Sequence, residues 1–349
     1  MSVLLGILCI ISSGLGKSSK DEIIFTLPEV ESPRQIVVEK GRIYFVDPGN
    51  IVVYNLSDGR FLKKIGRLGQ GPGEFSMGPR RLSVLGDRLI VKDVLSYECF
   101  TLEGEHTGCI KEPEIIAFYQ FLPVGRHFVG FPLLRNEDGS ISGPSGCIYD
   151  SNLMLKREFF GELPAFPTAP PPPSVEKPKG KSDRLLIRDY GDYKVFEDRI
   201  YVADSSRGFS ISVFDESGNL IREIKHNVDK IKVPKSFVKE IVKKWKASKD
   251  WQRRYSHFNP VVPKYFPALI DFKIDHGQIH ALTPAKKNDL YEIVVMDLEG
   301  KILNREYRFP LEPNFETPFF NGFKYDIEGD KLVWFSYNDD KEIYELHIR

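Results

Sequence analysis

Residues 42–47 read RIYFVD, and nearly the same pattern returns as RLIVKD at 88–93, RIYVAD at 199–204 and QIHALT at 278–283. Weaker copies are HFVGFP at 127–132 and KLVWFS at 331–336. Runs of Val, Ile, Tyr and Phe bounded by Asp, Gly and Pro are typical of β-strands. The pattern therefore predicts one strand that recurs six times along the chain.

Aligning the six copies on their first apolar residue reveals an earlier strand in each of them. Seven positions before that residue the chain has large apolar side chains: Ile36, Leu82, Phe121, Tyr193, Phe272 and Tyr325. Eight positions before it the chain is always polar: Gln35, Arg81, Gln120, Asp192, Asp271 and Lys324. We call this second set the polar column. Because side chains alternate between the two faces of a strand, both columns indicate the same strand in every copy.

Each copy has room for about four strands, which is one blade of a β-propeller. The predicted fold is all-β, a six-bladed β-propeller that occupies residues 21–349 as a single domain. The last copy ends after three strands, and a spare strand stands at 22–27, EIIFTL. We expect this N-terminal strand to complete the last blade and close the ring, since closure removes exposed sheet edges.

Two stretches exceed the basic repeat and are predicted to be insertions. Residues 163–181 include four consecutive prolines and predict an extended surface loop. Residues 230–262, between blades 4 and 5, carry Phe237, Ile241 and Trp245 at helical spacing. The rest of this predicted helix, 235–254, is rich in Lys and Arg. It is interpreted as a solvent-facing helix or as a lid or contact for an anionic partner or membrane surface.

The N-terminus predicts export. Residues 3–11, VLLGILCII, form a short apolar run followed by small residues, as in a signal peptide that ends near residue 16. A lipid anchor on Cys9 is disfavoured because Leu8 stands where a small residue is expected. A buried first strand is the remaining interpretation. The predicted location is extracytoplasmic, either periplasmic or secreted, and no later segment is apolar enough to span a membrane.

The composition excludes several classes of protein. With 49 basic and 49 acidic side chains the net charge is zero, which argues against a nucleic-acid partner. Four cysteines are too few for a disulfide scaffold. Cys99 and Cys109 flank a predicted hairpin that would set them opposite each other, and either a cross-strand disulfide or two free thiols is compatible with that placement.

The segment Ile65–Phe75, IGRLGQGPGEF, resembles the G-x-x-G-x-GPG-x-F link between blades in NHL-repeat-like six-bladed propellers. Residues 81–84 and 89–93 resemble the strands that follow in that family. The layout is also similar to exported bacterial propellers of the NHL and Tol-propeller superfamily. The resemblance implies the fold and an extracytoplasmic setting, but no single activity, since the superfamily contains both enzymes and interaction modules.

No catalytic or phosphate-binding motif is evident. Gly69, Gly71 and Gly73 lack the spacing, the Lys-Ser/Thr ending and the following helix of a phosphate loop, so they are interpreted as a blade connector. His276 and His280 are separated by Gly277 and are predicted to lie on a hairpin, which excludes a helical zinc motif.

The polar column is the candidate site, because the first strands of propeller blades line the central channel. Its members and three neighbours are expected to converge at one channel mouth as a ligand-binding surface: Gln35, Arg81, Gln120, Asp192, Asp271, Lys324, Arg34, Arg80 and Tyr119. The alternative is that these groups satisfy one another and channel water.

Two functions follow from this interpretation. The first is a non-catalytic module that binds a protein, peptide or glycan. The second is a metal-dependent hydrolase or lyase with calcium at Asp192 and Asp271, as acidic residues hold a cation in gluconolactonase-type propellers; the Glu and Asn ligands of that family have no counterparts here. A sensor domain separated from a signalling partner is a third possibility.

Overall fold

The computed structural model describes residues 22–94, 96–111, 117–135, 141–142, 145–164, 182–249, 256, 258–315 and 322–349. Among these, the side chains of 117–119, 133–135, 141–142, 162 and 182 are not described. The predicted fold class is confirmed, since the described residues form an all-β, six-bladed β-propeller, and a helical insertion contains α1 (Lys235–Ala247). Its blades fall into two compact units of three: unit 1 contains residues 22–111 and 322–349, and unit 2 lies within 112–321.

Unit 1 contains blades 1, 2 and 6, each an antiparallel sheet of four strands. Blade 1 comprises β2 (Gln35–Glu39), β3 (Arg42–Val46), β4 (Ile51–Asn55) and β5 (Phe61–Ile65). Blade 2 comprises β6 (Arg81–Leu85), β7 (Arg88–Lys92), β8 (Ser96–Thr101) and β9 (His106–Lys111). Blade 6 comprises β25 (Tyr325–Glu328), β26 (Lys331–Asn338), β27 (Ile343–Ile348) and the N-terminal strand β1 (Ile23–Thr26).

Unit 2 contains blades 3, 4 and 5. Blade 3 comprises β10 (Ala117–Val124), β11 (His127–Arg135), β13 (Ser145–Tyr149) and β14 (Leu155–Glu162), with the short β12 (Ile141–Ser142) paired to β11. Blade 4 comprises β16 (Gly191–Phe196), β17 (Arg199–Asp204), β18 (Phe209–Phe214) and β19 (Leu220–His226). Blade 5 comprises β21 (Asp271–Asp275), β22 (Gln278–Lys287), β23 (Leu290–Asp297) and β24 (Ile302–Phe309).

The first strand of each blade follows the predicted repeat. Its apolar column is buried in all six blades, with at most 1% of any member exposed: Ile36, Leu82, Phe121, Tyr193, Phe272 and Tyr325. The register agrees as well, because Val38 pairs with Ile43, Val195 with Ile200 and Ile274 with Ile279 in three different blades. Burial of these large side chains contributes roughly 1.5–3 kcal/mol each to the hydrophobic core.

The N-terminal strand completes blade 6, as predicted. Strand β1 pairs antiparallel with β27, so that Ile23 faces Ile348 and Phe25 faces Leu346. Phe25 packs against the core shared by blades 1 and 6 and contacts the backbone at Gly59, where a side chain would collide with its ring. Glu22 adds charged contacts to the C-terminal strand.

The glycine-rich segment connects β5 to β6 and is not followed by a helix. Glu74 folds back into the loop, where its carboxylate accepts a hydrogen bond from the Gly71 N–H at 2.8 Å and from the Arg67 Nε at 2.7 Å. Phe75 is fully buried against Gly66. Because the segment joins β5 of blade 1 to β6 of blade 2 and is filled by its own Glu74, it is a blade connector, as predicted.

The helical insertion contains α1 (Lys235–Ala247), which begins after Pro234 and is shorter than the predicted 235–254 segment. Arg253 and Arg254 lie outside the described residues. Trp245 is 6% exposed and packs on Leu186. None of the described helices is long and apolar enough to cross a bilayer.

The two insertions, which were predicted as separate features, contribute one strand each to a two-stranded sheet. Strand β15 (Ser182–Leu185), which follows the proline-rich segment, pairs in parallel with β20 (Phe258–Val261), which follows α1. This pairing was not predicted. Residues 165–181 of the predicted proline-rich loop 163–181 and the predicted signal peptide 1–16 lie outside the described residues.

The predicted alignment of the two cysteines is wrong. Cys99 lies opposite Gly108, whereas Cys109 lies opposite Glu98. The turn joins Thr101 to Glu105 instead of Leu102 to His106, and the bulge after Cys99 makes up only one residue of the resulting offset. A one-residue shift turns the two side chains to opposite faces of the sheet. Both thiols are free; Cys99 is buried and Cys109 is exposed. Burial raises the pKa of the Cys99 thiol to about 11.

Candidate functional site

The polar column divides between the two units with opposite charge. In unit 1 the column contributes Gln35, Arg81 and Lys324, and in unit 2 it contributes Gln120, Asp192 and Asp271. The three blades of unit 1 therefore begin their inner strands with neutral or basic groups. Those of unit 2 begin with neutral or acidic groups.

Two contacts in unit 1 join segments of different blades that carry basic residues. The Arg34 guanidinium donates to the carbonyl oxygen of Pro79 at 3.4 Å, directly beside Arg80. The Arg81 guanidinium carbon lies 5.0 Å from the ring centroid of Phe323, directly before Lys324, in a cation–π contact.

These basic residues differ in solvent exposure. Arg81 is 7% exposed and belongs to the packed interior, whereas Arg34, Arg80 and Lys324 are exposed. We call these three exposed residues the basic cluster. Within the described chain no carboxylate forms an ion pair with any of the three. An exposed group of like charges raises the local concentration of anions.

Gln35 is used within the fold. Its side-chain Nε2 donates to the carbonyl oxygen of Leu82, and its Oε1 accepts from the Leu82 N–H, both at 2.8 Å. The side-chain amide therefore joins β2 of blade 1 to β6 of blade 2 by the same pair of hydrogen bonds that a backbone peptide group forms in a sheet. Both hydrogen bonds are buried, so Gln35 offers neither of them to a ligand.

Two carboxylates satisfy other inner-strand amides of unit 1. Asp326 accepts from the Val38 N–H at 2.8 Å, and Glu328 accepts from the Gly41 N–H at 2.7 Å. Both reach from β25 of blade 6 to blade 1. These residues were missed in the sequence because nothing in the repeat distinguishes them from ordinary solvent-facing acids.

In unit 2 the two aspartates form a buried network with a tyrosine and a lysine. The Tyr190 hydroxyl donates to Asp271 Oδ1 at 2.8 Å and lies 3.4 Å from Asp192 Oδ2. Lys194 Nζ donates to Asp192 Oδ2 at 2.6 Å. Asp192 is 2% exposed and Asp271 is 1% exposed. Tyr190 and Lys194 were not predicted, since neither belongs to the polar column.

Each aspartate also caps its own strand. Asp192 Oδ1 accepts from the Tyr193 N–H and Asp271 Oδ1 accepts from the Phe272 N–H, both at 2.8 Å. Among the described groups none donates to Asp271 Oδ2, although this oxygen is buried. A buried acceptor without a hydrogen bond lowers the free energy of unfolding by about 1–3 kcal/mol, so this oxygen is the least well satisfied polar atom of the network.

The third member of the column in unit 2 is Gln120, which is 3% exposed. Its carbonyl oxygen accepts from the Tyr193 hydroxyl at 2.6 Å and so joins blade 3 to blade 4. Tyr119, its predicted neighbour in the site, lies in β10, and its side chain is not among those described.

The aspartate pair fits calcium poorly. Calcium takes six to eight oxygen ligands, whereas Asp192 Oδ2 is held by an ammonium and both Oδ1 atoms accept backbone hydrogen bonds. In the described part of the chain no group of three His, Cys, Asp or Glu side chains is placed to hold a metal ion.

The two histidines of blade 5 lie on a hairpin, as predicted. His276 stands in the turn between β21 and β22, is exposed, and has Nδ1 2.8 Å from Asp275 Oδ2. His280 is 3% exposed on β22, where burial and the positive charge of Arg308 lower its pKa to about 4. The two rings therefore occupy different environments and form no common site.

The comparisons with known proteins return structures but no family. No protein-family model matches the chain, and no curated protein matches it. An exported protein of Bacteroides fragilis is 12% identical and covers 94% of both chains with a TM-score of 0.48. A gluconolactonase of Xanthomonas campestris is 10% identical, covers 94% of this chain and 90% of its own, and has a TM-score of 0.44.

The WD40 domain of Neurospora crassa Pan2 is 10% identical and covers 95% of this chain and 96% of its own, with a TM-score of 0.42. At this level of similarity neither the activity of the gluconolactonase nor the role of the WD40 domain extends to the present chain.

Proposed function

We propose that this protein is an exported, non-catalytic propeller of the NHL-like type that binds an acidic protein, peptide or glycan. The basic cluster, Arg34, Arg80 and Lys324, is the proposed contact surface. The observation that carries the proposal is that three neighbouring blades supply one exposed cation each, and that no described carboxylate pairs with them.

The buried members of the polar column have a different role in this proposal. Gln35 joins two inner strands through its side-chain amide, Asp192 caps its own strand, and the backbone carbonyl of Gln120 accepts from the Tyr193 hydroxyl. Rigid strand ends keep the exposed side chains in place, which reduces the entropy lost on binding. The ligand would meet the exposed residues, and the buried ones would support them.

Export is supported by the apolar run at residues 3–11 and its small-residue flank. The NHL-like assignment is supported by the glycine-rich connector. That connector performs a structural task here, because Phe75 is fully buried and Glu74 fills the loop.

The proposal is tested by surface plasmon resonance on immobilised poly-glutamate, alginate and neutral dextran. We expect binding to the two acidic surfaces and none to dextran, and a further loss of affinity as salt screens the charges. Charge reversal by Arg80→Glu or Lys324→Glu should weaken binding about fivefold to tenfold each.

Arg60→Glu is the matched control, since Arg60 is an exposed arginine of unit 1 at the outer hairpin of blade 1. It should bind like the unmodified protein. Equal binding of dextran and alginate, or equal losses in all three variants, would contradict the proposal. Unchanged melting temperatures would show that the variants are folded.

The second function, a calcium-dependent hydrolase or lyase, has one observation in its favour. Asp271 Oδ2 is a buried carboxylate oxygen to which no described group donates. One such atom is far from a complete calcium shell. Calcium-dependent stabilisation that is lost in Asp271→Asn would support this function over the binding proposal.

A further inference from the structure

A cavity whose charged lining is mainly basic lies in unit 2, and one of its lining residues, Ser205, accepts from the Tyr190 N–H of the aspartate network. It has a volume of about 590 Å³ and lies between the turn from β17 to β18 in blade 4 and the segment 263–268 after β20. Its charged lining is strongly unbalanced. Four basic residues face one acidic residue: Arg188, Arg207, Lys230, Lys264 and Asp189.

The two lysines of this lining lie against the same aromatic ring. Lys264 Nζ lies 5.1 Å and Lys230 Nζ 5.9 Å from the ring centroid of Tyr265. Each cation–π contact contributes about 0.5–1 kcal/mol at an exposed site. Neither ammonium forms an ion pair within the described chain. Two like charges are thus kept close together at the edge of a concavity without a counter-ion from the protein.

The other charged groups of the cavity offset little of this charge. Arg207 pairs with Glu223 at 2.8 Å and is partly neutralised. Asp189 is the one acidic lining residue, and it accepts from the Ser205 hydroxyl at 3.2 Å. The charge that remains is that of Lys230 and Lys264.

A neighbouring cavity provides an internal comparison. It has about 500 Å³ and shares Lys230, Phe266 and Ala268 with the first. In it Glu292 accepts from Arg305 at 2.9 Å and from Thr283 at 2.7 Å. The charged lining of this cavity is balanced, with Asp229 and Glu292 against Lys230 and Arg305, whereas that of the first cavity is mainly basic.

We propose that the cavity lined by Lys230 and Lys264 binds a small ligand that carries a carboxylate, sulfate or phosphate group. The two ammonium groups hold the anionic group, and Tyr265 and Phe266 provide apolar contacts for the rest of the ligand. The volume suits a ligand of one or two sugar rings or amino acids. This site is independent of the basic cluster, which belongs to unit 1.

The test is isothermal titration calorimetry on the full chain with probes that differ mainly in charge. Glucuronate and glucose 6-phosphate carry an anionic group on the ring of glucose, which serves as the neutral reference. N-acetylglutamate represents a peptide-like source of the carboxylate, and sodium sulfate represents an inorganic anion. We expect at least one of the organic anions to bind at least about tenfold more tightly than glucose.

The double variant Lys230→Gln and Lys264→Gln should weaken that binding about tenfold, in line with the loss of two partly exposed charge contacts. Lys239→Gln on α1 removes an equally exposed charge outside the cavity and should change nothing. Arg80→Glu should also leave it unchanged, which separates this result from the proposed function. A melting temperature within about 2 °C of the unmodified protein would confirm folding of the double variant.

Three results would overturn the proposal. They are equal affinity for glucose and the organic anions, equal binding by the double variant and the unmodified protein, and binding of sulfate with no preference for an organic anion. The last would indicate an adventitious ion only.

Discussion

Units 1 and 2 use the same position of the repeat in different ways. In unit 1 the side chain of Gln35 in blade 1 satisfies the Leu82 N–H in blade 2. In unit 2 the aspartates satisfy the amide directly after themselves, at Tyr193 and Phe272. The inner strand of a blade has an unpaired edge whose N–H groups require acceptors. The position must therefore be polar, but its charge is free to vary.

The difference in charge has a second consequence. Because Gln35 and Asp326 satisfy strand edges in unit 1, the basic residues beside them remain exposed and available. In unit 2 the carboxylates are enclosed with Tyr190 and Lys194, whose contacts join blades 4 and 5. The polar-column aspartates of unit 2 hold blades 4 and 5 together, whereas the exposed basic residues of unit 1 are suited to contact a ligand.

The largest expected effect on stability comes from a histidine that is buried in unit 2. His280 has a folded pKa of about 4, below the value near 6.5 of an unfolded chain. The unfolded state therefore binds more protons between these values, so the stability falls as pH drops from 6.5 to 4, by up to about 3 kcal/mol. Urea unfolding across this range should show that loss.

Substituting His280→Leu should remove this part of the pH dependence. His276→Gln, four residues away at an exposed position, should retain it. If both variants kept the pH dependence of the unmodified protein, the buried neutral histidine would not be its source.

The next effect concerns the bridge between blades 1 and 2. Gln35→Leu leaves the N–H and carbonyl of Leu82 without partners in a buried position, and we expect a loss of about 2 kcal/mol in the free energy of unfolding. Gln70→Leu changes an exposed glutamine of the same unit and should stay within about 0.5 kcal/mol. Equal losses in the two variants would show that the Gln35 bridge contributes nothing specific.

A smaller effect is expected in the corresponding network of unit 2. Tyr190→Phe removes the hydroxyl that donates to Asp271 and should cost about 1 kcal/mol in chemical denaturation. The control is Tyr337→Phe, because Tyr337 is 48% exposed. A stabilised Tyr190→Phe variant would mean that the aspartates repel the hydroxyl more than they accept from it.

The smallest effect tests whether the acidic position of unit 2 binds metal. Millimolar calcium should shift the melting temperature by less than about 1 °C, because a ligand that does not bind the folded state cannot stabilise it. A shift of several degrees that disappears in Asp271→Asn would reverse the comparison, because the polar column of unit 2 would then bind a ligand.

The repeated strands could be predicted because each copy must bury the same face. Ile36, Tyr193 and Phe272 are apolar for that single reason, and their periodicity is readable without coordinates. The missing fourth strand of the last copy likewise indicated the pairing of Ile23 with Ile348. Local composition was sufficient for both.

The site was only partly predictable. That position 35 is polar follows from the alignment, but its bond to Leu82 depends on how neighbouring blades approach, which no local pattern encodes. The parallel pairing of Ser182 with Phe258 joins two insertions without any shared period. The bulge after Cys99 shifts the register by one residue, and such bulges have no reliable sequence mark.

The donated strand of blade 6 imposes an order on folding. Glu22 and His347 are 325 positions apart in the chain, yet the side chains meet at 2.7 Å. During synthesis β1 emerges first but has no partner until β27 follows, whereas unit 2 is continuous and contains all of its own strands. Unit 2 can therefore fold before β1 and β27 pair. The pairing of these two strands joins residues far apart in the chain, so it is the slow step of folding.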